Sequence, residues 1–99
     1  MKIVWTEDAL QQLDEAREYI EIENPRAAVR LIDQIETSVN RLRVFPLIGR
    51  SGFRPTTREL VVPNTPYIIV YLVRGDVVYI LAVIYGATDW QMIWNPIED

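Results

Sequence analysis

An α+β domain, with a helical hairpin laid on one face of an antiparallel sheet, follows from three features of this sequence. Residues Tyr67 to Tyr85 (YIIVYLVRGDVVYILAVIY) hold two runs dense in Ile, Val and Tyr around Gly75-Asp76, the pattern of a β-hairpin with a tight two-residue turn. Upstream, apolar residues recur at helical spacing in two adjacent stretches, Ala9 to Ile20 and Ala28 to Leu42. The resulting order, β-α-α-β-β-β, segregates helices from strands, and each helical stripe needs a sheet face to bury it.

Lys2 to Trp5 reads as a short first strand. Thr6 is placed to cap the helix that follows, with Glu7 and Asp8 in the first turn, where the helix dipole favours anions. Ala9, Leu10, Leu13, Ala16 and Ile20 form its apolar stripe. Asn24-Pro25 restarts the pattern, Asn24 as cap and Pro25 at the first helical position, where its missing N–H costs nothing. Ala28, Leu31, Ile32, Ile35, Val39 and Leu42 carry the second stripe to about Phe45, and Pro46 stops it. So short a link makes the helices an antiparallel pair. Pro46 to Thr57 (PLIGRSGFRPTT) reads as an irregular loop, Arg58 to Val62 as a strand, and Pro63 to Pro66 as a turn that sends the chain back antiparallel. Gly86 closes the last strand; a single domain over residues 1–90, with 91–99 as a tail, is expected.

With Gly75-Asp76 as the loop, Val73 should lie opposite Val78, Tyr71 opposite Ile80 and Ile69 opposite Ala82. One face then carries Tyr67, Ile69, Tyr71, Val73, Val78, Ile80, Ala82 and Ile84; the other carries Ile68, Val70, Leu72, Tyr79, Leu81, Val83 and Tyr85. Both faces are apolar, and the helical hairpin can cover only one.

Composition removes many function classes. The 99 residues contain no histidine and no cysteine, so Ser-His and Cys-His catalysis, thiolate or imidazole zinc sites and disulfides are excluded. Asp14, Glu15 and Glu18 cluster without a further ligand, and neither a metal nor a cofactor is expected. The longest apolar run is nine residues, Val77 to Tyr85, too short for a bilayer span, and a cytoplasmic location is expected. The net charge of −4 is unevenly spread: Glu7 to Glu23 holds seven acids and one arginine, whereas Arg41 to Arg58 holds five arginines and no acid. A local basic surface therefore sits in an acidic chain.

The order and spacing of several short words resemble the RelE/ParE toxin superfamily, closest to its ParE branch. They are Trp5-Thr6 with Ala9-Leu10, Tyr19-Ile20, Asn24-Pro25 with Ala27-Ala28, Phe45-Pro46 with Gly49-Arg50, Thr57-Arg58-Glu59-Leu60, Pro66 to Tyr71, and Gly86-Ala87. The resemblance spans roughly Lys2 to Trp90. It implies the toxin of a type II toxin–antitoxin pair, neutralised by an antitoxin segment wrapped around the fold in a hetero-oligomer. RelE-like members cut mRNA on the ribosome; ParE-like members poison DNA gyrase by binding. Where RelE-like chains place arginines this one has Ile68 and Thr88, and where many have histidine it has Tyr85. Losing the arginines removes charge that would stabilise a reacting phosphate. The expectation is thus gyrase inhibition by direct contact, without direct nucleic-acid binding. An mRNA endonuclease using Arg50, Arg58 and Tyr85, or a non-toxic antitoxin-binding relative, are the alternatives.

Arg50, Arg54, Arg58 and Trp90 are the expected target-binding residues; helix-end charge and pairing with the acidic first helix are the plainer reading of the arginines. By analogy with the family, Ile68, Val70, Leu72 and Leu81 are expected on an open outer face that binds the antitoxin. A tail folded back through Trp90, Ile93 and Trp94, or a second copy, could cover that face instead.

Overall fold

A computed structural model of the chain describes residues 1–86. Expectations for Thr88, Trp90, Ile93 and Trp94 lie outside the described residues. The elements are β1 (Lys2–Trp5), α1 (Glu7–Glu23), α2 (Pro25–Arg41), β2 (Arg50–Ser51), β3 (Thr57–Val61), β4 (Tyr67–Arg74) and β5 (Val77–Tyr85). Both caps form as their residues dictate. The Ala9 N–H donates to Thr6 Oγ1 at 3.2 Å, and the Ala27 N–H donates to Asn24 Oδ1 at 3.1 Å. The second helix ends at Arg41, earlier than its apolar pattern suggested, and Leu42 caps it while Phe45 stands exposed beyond.

The strands form one five-stranded sheet in the order β1-β5-β4-β3-β2. Two details depart from the four-stranded antiparallel sheet expected. The first strand pairs parallel with β5, Lys2 beside Val77 and Trp5 beside Ile80. A two-residue strand, Arg50–Ser51, emerges from the stretch expected to be irregular and pairs with Arg58 and Glu59 at the opposite edge.

The hairpin turn is as expected: Arg74 faces Val77 across Gly75-Asp76, and Gly75 has φ +63°. Positive φ at the first turn residue alone is the type II′ geometry, which glycine enters without steric cost. Val73 faces Val78 and Tyr71 faces Ile80, again as expected, but a β-bulge then intervenes and Val70 faces Ala82. Leu81 is the extra residue, so Ile69 faces Val83 rather than Ala82. Every side chain beyond it changes side. Val83 joins the helix-side core with Tyr67, Ile69, Tyr71, Val78 and Ile80, against Ala16, Leu31, Ile35 and Leu42. Ala82 and Ile84 cross to the outer face, where they cluster with Val70, Ile68 and Leu81. Tyr85, expected on the outer face, lies opposite Tyr67 on the helix side, their rings edge to face at 5.8 Å.

The first helix secures this irregularity. β1 stops beside Ile80, and α1 runs past the edge that β5 exposes beyond it. Thr6 Oγ1 donates to Ile80 O at 2.9 Å, and the Val83 N–H donates to Gln12 Oε1 at 2.8 Å. The Thr6 N–H also donates to Ile80 O at 3.1 Å, so it is the Val83 N–H, past the end of β1, that a side chain satisfies in place of a neighbouring strand. Of the α1 stripe, Ala9 and Ala16 are buried, Leu13 and Ile20 partly so, and Leu10 faces solvent.

Candidate functional site

Two surfaces present themselves on opposite sides of the sheet. The first is the outer face. Val70 and Ala82 are fully buried in its cluster, Ile84 nearly so, and Ile68 and Leu81 are half-buried around them. Of the four residues expected to lie open there, Val70 and Leu72 are therefore sealed, and Ile68 and Leu81 carry the accessible apolar surface. Val61 pairs with Ile68 and is exposed, extending the strip across β3; its place within the RELVV run gave no cue to this. Beside Val70 stands Glu59, whose side chain is only 7% exposed and is bound at 3.1 Å by the guanidinium of Arg50. A carboxylate this buried requires a charged partner, and that fixes Arg50 on the outer side.

The second surface is the segment between α2 and β3. Tyr71, buried in β4, holds it from below: its hydroxyl donates to Pro46 O at 2.8 Å and accepts the Gly49 N–H at 2.9 Å. Burial raises the Tyr71 pKa above the ordinary tyrosine value, against the lowering effects of the Gly49 N–H and the Arg58 charge, so the donor proton stays in place. Gly49 packs so closely that a Cβ there would lie 2.6 Å from the Tyr71 hydroxyl oxygen and 2.9 Å from Glu59 O. Arg58 adds a second clasp, donating to Gly49 O at 2.9 Å and Leu47 O at 3.3 Å. The N-terminal ammonium of Met1 donates to Arg43 O at 3.1 Å.

The tip between β2 and β3 carries Phe53 and Arg54, the guanidinium 5.8 Å from the ring centroid. Thr56 closes that tip with φ +69°, a conformation a β-branched residue adopts only under constraint. A recess of about 300 Å³ lies here, lined by Gly52, Arg54, Pro55 and Arg58 among others. A separate recess of about 340 Å³ opens where the helical hairpin meets the β3–β4 turn, between Ile20, Arg30, Leu31, Pro66 and Tyr67. Sequence periodicity gave no sign of it.

The three residues of a nuclease constellation are not brought together. Arg50 and Arg58 lie on opposite faces, since they pair with Glu59 and Tyr71 respectively. Tyr85 is at the far end of β5, two strands and about four residues from Arg58, a separation of roughly 17 Å at standard strand spacing and rise. Among the described residues no group of three or more potential metal ligands forms.

With this arrangement in view, the comparisons place the chain. Residues 3–90 match the model of the ParE toxin of type II toxin–antitoxin systems, parDE. The chain belongs to the ParE toxin family. Y4kP of Sinorhizobium fredii is 42% identical over 92 residues, covering 93% of this chain and 95% of that protein. Toxin RelE2 of Caulobacter vibrioides is 37% identical over 86 residues, covering 87% and 96%. The fold is shared with a chain of the chromosomal ParDE toxin–antitoxin system from P. aeruginosa, at TM-score 0.76 and 24% identity, over 84% of this ParE-family chain and 92% of that one. No described helix is long and apolar enough to cross a membrane.

Proposed function

We propose that this ParE-family chain inhibits DNA gyrase by direct contact and is silenced by a cognate antitoxin that covers the outer sheet face. The observation that carries the target mode is the commitment of the arginines. Arg58 is spent on two loop carbonyls and Arg50 on Glu59, each on a different face, and Tyr85 stacks on Tyr67 far from both. A phosphate-cutting site needs such groups converging within hydrogen-bond reach of one oxygen. A binding surface needs only that they be displayed.

The antitoxin reading rests on the strip formed by Val61, Ile68 and Leu81, which an apolar helix or strand can cover. A second reading, cleavage of mRNA on the ribosome, draws support from the identity to the relative named RelE2. Induced expression without antitoxin, with DNA and protein synthesis followed separately, discriminates. Gyrase inhibition gives early DNA damage with translation continuing. Rapid translation arrest with cleaved mRNA would establish the second reading, and unimpaired growth with the folded protein present would establish a non-toxic relative.

A further inference from the structure

The stretch just after α2 is unusual for a protein surface. Val44 is 70% exposed, Phe45 58%, Leu47 61% and Ile48 40%, four large apolar side chains within five positions. Phe53, 59% exposed, follows in the β2–β3 tip. Scattered exposed apolar residues need no explanation, but a contiguous run does. This run is also immobilised. Tyr71 bridges Pro46 O and Gly49 N, Arg58 holds Leu47 O and Gly49 O, and Gly49 sits with no room for a Cβ. These polar contacts, the Gly49 N–H to Tyr71 bond buried among them, therefore fix the backbone while its apolar side chains turn to solvent. A loop that merely linked α2 to β2 would be expected to turn them inward.

The charge along this stretch of sequence is of one sign. Arg41, Arg43 and Arg54 flank the run, and no acid occurs between Arg41 and Arg58. Rigid apolar anchors rimmed by arginine are the composition of an interface centre, because a fixed loop loses little entropy on docking.

We infer that Val44, Phe45, Leu47 and Ile48, rimmed by Arg41, Arg43 and Arg54, form the surface that grips the cellular target, a protein patch with an apolar hollow bordered by carboxylates. The inference deepens the proposed function and rests on it. A protein fits better than a nucleic acid because three of the four anchors, Val44, Leu47 and Ile48, offer nothing to a phosphate and no flat face to a base, and Phe45 alone is one ring rather than a stacking platform. The target fits better than the antitoxin because Tyr71 and Arg58 hold this loop from the helix side, whereas the antitoxin strip lies on the other face.

The test uses the full chain and its complex with the cognate antitoxin. Phe45→Ser/Leu47→Ser and, separately, Arg43→Glu/Arg54→Glu are compared with wild type for thermal midpoint, growth arrest on induction, antitoxin affinity, and affinity for purified DNA gyrase at low and high salt. Because Arg43, Phe45 and Leu47 are exposed, and Arg54 is half-buried only against the neighbouring Phe53 ring, the midpoint should hold. The apolar pair should weaken gyrase binding at least tenfold and abolish growth arrest. The charge reversals should weaken it mainly at low salt, and antitoxin affinity should stay within twofold for both variants. Undiminished growth arrest in the Phe45/Leu47 variant overturns the inference while leaving the toxin reading intact. Three further results also overturn it: a parallel loss of antitoxin binding, a concentration-dependent dimer of wild type that this variant abolishes, or binding of a single-stranded RNA oligonucleotide that only the charge reversals abolish. A wild-type chain that arrests no growth overturns both readings. Growth arrest without gyrase binding, still abolished by the Phe45/Leu47 change, sustains the surface and overturns the choice of gyrase.

Discussion

Tyr71 does at one position what several residues would otherwise do. Its ring fills the core between helices and sheet, and its hydroxyl reaches past Gly49 to hold two backbone groups of the displayed loop. Tyr71→Phe keeps the ring and removes the hydroxyl, leaving the Gly49 N–H without its acceptor and Pro46 O without its donor. Leaving buried polar groups unpaired costs about 1–3 kcal/mol. The expected result is a lower urea midpoint at unchanged m-value, with faster amide exchange from 46 to 49. The same residue gives a pH signature. Burial raises the pKa values of Tyr71 and Tyr67, with Tyr85 and Tyr19 adding to the effect at Tyr67. The unfolded chain therefore loses these protons first, and stability present below about pH 10, the unfolded tyrosine value, falls as pH rises through the higher folded values. Alkaline titration of the thermal midpoint should show that fall, and Tyr71→Phe should make it shallower. Arg58 was legible in the sequence as a cation in a basic stretch, but its role was not. Spacing cannot show that its guanidinium turns onto the carbonyls of Leu47 and Gly49.

At the scale of elements, the sequence showed the helices and the hairpin turn clearly and hid the bulge. Caps, stripes and Gly75-Asp76 each have a local chemical cause, so they could be read without tertiary context. Register beyond the turn could not. Period-two alternation fixes register only where one face is polar, and here both faces of β4 and β5 are apolar, so a one-residue slip breaks no pattern. What decides it is a group far away in sequence, Gln12, whose Oε1 takes the Val83 N–H just past Leu81. Gln12→Ala should leave that N–H unpaired and lower stability by about 1–3 kcal/mol, an effect that Gln12→Glu, which keeps an acceptor oxygen, should largely spare. Thermal melts of the two variants, with exchange at the Val83 amide, check this. The parallel β1 was equally hidden, because four residues specify a strand but not its neighbour. The strand Arg50–Ser51 forms because Glu59, buried on the outer face, draws Arg50 to it.

At the scale of the molecule, the sheet separates two surfaces, and the separation makes a prediction. The outer strip is apolar and the displayed loop is apolar and basic, so one partner should be separable from the other by mutation. Val70 is a poor place to test this, since it is fully buried and a charge there would unfold the cluster before reporting on binding. Val61 and Leu81 are better, one exposed and the other half-buried, both on the outer side. Val61→Glu and Leu81→Glu should each weaken antitoxin binding by roughly tenfold or more, because docking would strand a carboxylate against apolar surface at a cost of a few kcal/mol. Toxicity should persist, since the loop of Val44 to Ile48 is untouched. In cells carrying the antitoxin, such variants should arrest growth where wild type does not. Calorimetric titration of purified antitoxin into each variant, beside growth curves with and without it, measures both halves. Antitoxin binding at wild-type affinity in both variants would place the antitoxin elsewhere, and the recess between Ile20, Leu31 and Tyr67 would be the next surface to charge.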